Sequence, residues 1–514
     1  MNGAESLADA VIASGVTVCF CNPGTTEMTL VAAFAARPEM RLVLGLHESV
    51  IAAAADGYAR MTRTPALVLA HQGPGFANAI ANLHNARRAC SPVVVLVGAQ
   101  PRWHEPFDSP LSCDITSLAV PVSGWVRTAA SAHDLSRDVT RAIAAALTPP
   151  GQVATLVIPA DCQWDPGRAC EPIARAESSR PPDAATVARA VAHLSGGGRT
   201  ALLVGGAALD EVPLRLAADI AATSACELLV EAFPARLACG QGLPSLTRVP
   251  YMAEAASDVF DGIDRVLLCG AKRPVSFFGY QDSPRDLIPA HVHVEETVAP
   301  DADVVVTLTE ILERLGPRPP ASAPRAAQSA GVPTGRLTPR SVAATVAALL
   351  PNESIVIDEA MSAALNHLRY AASAAPHSYL TLTGGACGMA LGCAVGAAVA
   401  SPRRRVITIV GDGSAMYAVQ ALWTQAREGL DVVTLVCANR AYRILQMEYL
   451  HVLGEEVPPR AANLFGLTRP PLDWVSLARG LGVRAKRVET IAALVDALQA
   501  GFAASGPSLV EVAL

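Results

Sequence analysis

Charge is scarce in this chain. Only 17% of its 514 residues are Asp, Glu, Lys or Arg, and the formal balance is −6. That removes the electrostatic basis for a nucleic-acid partner or an anionic membrane surface, and no basic run restores it. Long apolar runs are missing too. The most apolar stretch, Ala386 to Ala400, is broken by Gly388, Gly392 and Gly396, and it falls short of the roughly 20 residues a membrane-spanning helix needs. The opening MNGAESLADAVIASG lacks the basic start and continuous apolar core of a signal peptide, so a cytoplasmic protein is expected. Twelve cysteines are scattered without a CxxC pair, which leaves no readable zinc framework or disulfide scaffold.

What is abundant is apolar surface. At 51% hydrophobic residues the chain can build large cores. Short runs rich in Val, Ile and Leu (PALVLA, PVVVLVG, VATLVIPA, RTALLVGG, DRVLLCG, RRVITIVGDG and DVVTLVCANR) alternate with Ala-rich helical stretches. Strands apolar at every position imply parallel sheets covered on both faces. Two Pro/Ala/Ser-rich stretches, Arg175 to Thr186 and Gly316 to Ser341, read as boundaries. The expected fold class is therefore α/β, with three doubly wound parallel-sheet domains at residues 1–175, 186–316 and 341–514 and a linker at 317–340.

The sharpest motif closes an apolar strand: Ile409-Val410-Gly411-Asp412-Gly413-Ser414, with Asn439 ending the next strand 27 residues after Asp412. The stretch between, AMYAVQALWTQAREG, reads as a helix. A carboxylate and an amide oxygen thus emerge from neighbouring strand ends, on the face where open α/β sheets bind ligands. Few hard oxygen ligands with open positions suit magnesium. Gly411 and Gly413 let backbone N–H groups approach a phosphate at a helix start. The segment resembles the GDG…N signature of thiamine-diphosphate enzymes. The resemblance implies that Asp412, Asn439 and the carbonyl of Ala441 hold magnesium, with Gly411, Gly413 and Ser414 at the diphosphate. Ala438 departs from the family's usual Asn-Asn pair and leaves the ligand position intact.

Near the other end, Glu48 opens an Ala-rich helix, where a capping or dipole role is the plain reading. Its surroundings, CNPGTTE, HES, ADGYAR and GPGFANA, resemble the pyrimidine-binding domain of the 2-oxo-acid decarboxylase, acetolactate synthase and benzoylformate decarboxylase group. The resemblance covers nearly the whole chain, is loosest in the middle, and names the three domains pyrimidine-binding, central Rossmann-like and diphosphate-binding. It implies that Glu48 hydrogen-bonds the pyrimidine ring, favours the imino tautomer and so generates the ylide to which substrate is bound covalently. It also implies that the two ends of the cofactor sit on different subunits of a homodimer or homotetramer.

Within that group, His71 aligns with a catalytic His of benzoylformate decarboxylase and Thr25 with a substrate-contacting residue. His71 is expected to relay protons. A second His expected near Arg273 to Gln281 is missing, and Phe277, Phe278 and Gly279 stand there. Cys387 occupies the position of the residue that props the bent cofactor, with Met389 close enough to share the task. Leu445 falls on the helix that covers the thiazolium in relatives, on one face with Ile444 and Glu448. Glu448 reads equally as a substrate contact or a solvated charge, and Ser362 equally as a diphosphate contact or a helix start. The half-Rossmann pattern LLVGGAAL lacks a complete GxGxxG or a long basic loop, so FAD is not expected, and the missing ribose-binding acid after it counts against a dinucleotide-dependent oxidoreductase.

These features predict a thiamine-diphosphate- and magnesium-dependent decarboxylase or carboligase acting on a small 2-oxo acid or aldehyde. Acetolactate synthase-type acyl transfer is the alternative. A non-catalytic cofactor-binding relative and a dinucleotide-dependent oxidoreductase are the contrasting classes.

Overall fold

Runs of Val, Ile and Leu with no polar alternation cannot present a wet face, so they belong in sheets covered on both sides. They lie there in the computed structural model, which describes residues 1–169, 180–281, 283–298, 302–316, 331–362 and 367–514. Strands β1 (Val18–Cys21), β2 (Arg41–Leu44), β3 (Ala66–His71), β4 (Val93–Ala99), β5 (Trp125–Thr128) and β6 (Val153–Pro159) form a parallel sheet in the order β2-β1-β3-β4-β6-β5. The middle of the chain supplies β7 (Thr200–Val204), β8 (Glu227–Val230), β9 (Leu237–Cys239), β10 (Thr247–Arg248), β11 (Arg265–Cys269) and β12 (His293–Val298). Five of these pair in parallel in the order β10-β8-β7-β11-β12.

The last third contributes β13 (Ser354–Glu359), β14 (His377–Thr381), β15 (Val406–Gly411), β16 (Val432–Ala438), β17 (Arg484–Val488) and β18 (Ser508–Ala513). Its sheet runs β17-β18-β16-β15-β13-β14-β9. The terminal member, β9, comes from the middle of the chain and pairs antiparallel with β14, Leu237 facing Tyr379. A three-residue strand inside an Arg/Pro/Gly-rich stretch carries no hydrophobic period, so the sequence does not reveal it.

The first and third units share one core, in which the Glu48–Thr62 and Ala390–Ala400 helices lie side by side. Both are rich in Ala and Gly, which lets their backbones come close. A Cβ on Gly396 would lie 1.7 Å from the Ala54 carbonyl oxygen. The ADGYAR motif explains itself in the same seam. Asp56 and Arg60, one helical turn apart and buried, form a double hydrogen bond of 2.8 and 2.6 Å. Arg60 continues to the Thr381 carbonyl at 2.7 Å and the Thr383 hydroxyl at 3.0 Å in the third unit.

The stretch after Asp412 is not the single helix its composition predicts. It makes a turn of helix at Asp412–Ala415, a tighter turn at Met416–Ala418 and a second helix at Ala421–Arg427. The tight turn seats Tyr417 against Gly388, whose added Cβ would fall 2.7 Å from that of Tyr417.

Candidate active site

Glu48 begins its helix with His47 as N-cap, the imidazole Nδ1 accepting the Ser49 N–H at 3.1 Å. The helix N-terminus favours a carboxylate there. Glu48 is 7% exposed, and each of its oxygens receives one amide: Asn22 Nδ2 on Oε1 at 3.1 Å and Asn78 Nδ2 on Oε2 at 3.0 Å. Both donors are neutral, so the acid is oriented without being paired to a cation. Gly75 sits between Glu48 and His71; a Cβ there would lie 3.1 Å from Glu48 Oε1 and 3.4 Å from the His71 Cβ. The two residues singled out in the sequence therefore border one space.

His71 ends β3 with its side chain part-exposed, and its Nδ1 lies 2.9 Å from Glu27 Oε2. Glu27 is fully buried. Its Oε2 also accepts the Gly24 N–H at 2.7 Å, and its Oε1 accepts the Thr26 hydroxyl at 2.5 Å. A carboxylate only accepts, so Nδ1 carries the proton in this pair and Nε2 is left to exchange one. Gly98 is what makes room: any Cβ there would overlap Glu27 Oε1 at 1.8 Å. Thr25 opens the same turn and is exposed. The sequence did not single out Glu27. Its signal was present, since an acid three residues into a turn that reaches back to the preceding N–H is a capping pattern.

The second cluster forms where β15 and β16 end, paired at Gly411 and Cys437. Asp412 Oδ1 accepts the Gly413 N–H at 3.0 Å and Oδ2 the Arg440 N–H at 2.7 Å. Burial raises the Asp412 pKa against those hydrogen bonds. Asn439 Oδ1 accepts the Ala441 N–H at 3.0 Å. Asp412, Asn439 and the Ala441 backbone thus stand on adjacent loops with oxygen donors alone, which fits magnesium. No group of three or more His, Cys, Asp or Glu that could hold a metal occurs among the described residues.

Around them, the Cys387 thiol hydrogen-bonds Ser414, and burial raises its pKa. Tyr442 lies over Gly413, whose Cβ would meet its ring at 2.4 Å. Leu445 is 43% exposed on the Arg443–Leu453 helix, none of whose residues is buried. Met389 is fully buried in the shared core. Ser362 follows Met361 beyond β13 and borders 363–366, which lie outside the described residues.

Glu448 is not a free charge. It accepts hydrogen bonds from Tyr251 Oη at 2.8 Å and from the Tyr280 hydroxyl, both from the middle unit. The loop without the second His thus contributes Tyr280 instead. In the middle sheet, Glu231 directly follows β8 and accepts the Gly206 N–H at 2.9 Å. That is where dinucleotide folds carry their ribose-binding acid, a residue the sequence reading held to be missing, because β8 is only four residues long and offers little pattern. Burial pushes Glu231 up to about 7. It borders a cavity of about 600 Å³ that also reaches Arg88, Lys272, Tyr251 and Gly384.

Two strand-end clusters of this kind, one presenting an oriented Glu and the other an oxygen-only metal corner beside a glycine turn, define a thiamine-diphosphate enzyme, and the chain belongs to that family. Residues 1–118 match the model of the thiamine pyrophosphate enzyme N-terminal TPP binding domain, and residues 361–512 that of the C-terminal TPP binding domain. Among relatives, it is 44% identical to a Mycobacterium tuberculosis protein provisionally named acetolactate synthase large subunit IlvX, over 100% of this chain and 99% of that protein. It is 33% identical to benzoylformate decarboxylase of Pseudomonas aeruginosa over 97% and 96%. The solved 4-hydroxybenzoylformate decarboxylase of Rhodococcus jostii superposes with a TM-score of 0.86 at 27% identity, covering 100% of this chain and 99% of that one. No helix among the described residues is long and apolar enough to cross a membrane.

Proposed function

We propose that this enzyme cleaves the bond between the carbonyl and carboxylate carbons of a small 2-oxo acid, releasing carbon dioxide and then either freeing the aldehyde or joining it to a second carbonyl compound. The observation that carries this reading is the pair of oriented groups on one space, Glu48 between two asparagines and His71 backed by buried Glu27. Thiamine diphosphate, when bound, supplies the electron sink next to the reacting carbonyl.

Glu48, largely buried, would hold a hydrogen bond to the cofactor's pyrimidine ring. His71 exchanges a proton through Nε2 while Glu27 fixes its ring. Asp412, Asn439 and the Ala441 carbonyl would hold magnesium against the diphosphate, with Gly411, Gly413 and Ser414 beside its oxygens. Thr25, Ser362, Cys387, Met389 and Leu445 complete the proposed site. Met389 would act by backing the loop from the core.

Thr25, beside His71, and Tyr417, beyond Asp412, are both exposed, and the family resemblance puts the two ends of the cofactor on different subunits. We therefore place the two clusters together across a subunit contact in a homodimer or homotetramer, with domains at 1–175, 186–316 and 341–514. A panel of 2-oxo acids assayed for carbon dioxide release and acyloin formation tests the reading; silence across the panel with cofactor bound would refute it. Acetolactate after incubation with pyruvate would instead favour the acyl-transfer chemistry named for the Mycobacterium relative. Glu48→Gln should keep thiamine diphosphate bound and slow hydrogen–deuterium exchange at the thiazolium carbon.

A further inference from the structure

The Gln72–Arg88 helix carries Asn78, Asn82 and Asn85, spacings of four and three that put the three amides on one stripe. Asn78 holds Glu48 Oε2. Asn82, fully buried, points its amide N–H groups at the Ser49 carbonyl at 3.1 Å, the Ser49 hydroxyl at 2.8 Å and the Gly388 carbonyl at 3.2 Å. Its own oxygen accepts Asn85 Nδ2 at 2.8 Å. Asn85 also reaches the Ala386 carbonyl at 2.8 Å, accepts the Ala386 N–H at 3.2 Å, and takes the Thr383 hydroxyl on its backbone carbonyl at 2.8 Å.

Ser49 is the residue after Glu48, and Gly388 the residue after Cys387. One buried amide therefore touches both the start of the Glu48 helix and the loop that carries Cys387 and Met389. The loop is held from its far side as well. Glu359, at the end of β13, accepts the Gly388 and Ala390 N–H groups, both at 2.6 Å. Gly388 is thus fixed through its N–H by its own domain and through its C=O by the first domain. A buried amide is costly unless all its hydrogen-bonding capacity is used, and here it is used on two segments more than 300 residues apart in sequence.

We propose that Asn82 is a positioning residue that locks the Glu48 helix start to the 384–389 loop, so that the proton-handling and cofactor-holding parts of one chain are set as a single body. This rests on the functional reading of Glu48 and of that loop. Asn82→Ala removes these side-chain contacts, the one to the Gly388 carbonyl among them, and is expected to weaken magnesium-supported thiamine-diphosphate binding, measured calorimetrically, and to slow thiazolium exchange at saturating cofactor, each roughly tenfold. Ser49→Ala removes one partner, leaves the amide in place, and should slow exchange by a smaller factor; it carries the test if Asn82→Ala does not fold. Exchange and affinity at wild-type values in the folded variants would overturn the proposal, whatever happens to melting temperature. Glu48→Gln is run alongside. Unchanged exchange there overturns the functional reading, whereas unchanged exchange in the Asn82 and Ser49 variants alone overturns the coupling.

Discussion

At the scale of single residues, the sequence placed the strand-end side chains better than the groups that orient them. Glu48 and His71 do border one space, and Asp412 and Asn439 do stand on adjacent strand ends, because strand-end motifs carry their position with them. The supports are Glu27 on His71 and Asn22 and Asn78 on Glu48. Contacts such as Glu27–His71 span 44 residues, and no local period reports them. Glu27→Gln should leave cofactor binding intact and lower kcat by roughly 10²- to 10⁴-fold, the range of a general acid–base contribution. Gln still offers the ring an acceptor oxygen but removes the negative charge set against it. A variant with wild-type kcat would show that the Glu27 charge plays no part in the proton transfer proposed for His71.

Elements, taken one by one, follow their apolar period closely, and the seven apolar runs picked from the sequence are all strands. What period could not show is how elements lock. Asp56 and Arg60 look like an ordinary surface pair four residues apart, yet both are buried and Arg60 is anchored in the third unit. Arg60→Met leaves a buried carboxylate unpaired and should cost about 3–5 kcal/mol in denaturant unfolding. Adding Asp56→Leu should recover most of that loss, since the cost lies in the orphaned charge. Gly396→Ala forces the helix pair apart and should cost about 1–3 kcal/mol, read as a fall in melting temperature without loss of helical signal.

For the whole molecule, buried acids contribute to the response to pH. Burial pushes Asp358 up to about 6 and Glu359 up to about 7, from ordinary values of 3.8 and 4.5. Groups raised on folding bind protons more tightly in the native state. Their stabilisation is complete below the unfolded values and is lost as pH climbs through about 6 to 7. Asp358→Asn can still accept from the Ala360 N–H and bond the Tyr379 hydroxyl, and Asp358 uses both partners now. The melting temperature of this variant should therefore depend less steeply on pH between about 4 and 6; an unchanged slope would show that Asp358 does not titrate there.

The short strand that leaves the middle of the chain to edge the last sheet has an engineering consequence. The middle unit is sewn to its neighbour by main-chain bonds through β9 and β14, and β14 leads into the loop that Asn82 and Glu359 grip. It cannot be exchanged as a cassette between homologues at the two Pro-rich seams. A chimera that swaps 186–316 also replaces an edge of the last sheet, so transplants ought to leave Leu237–Cys239 native.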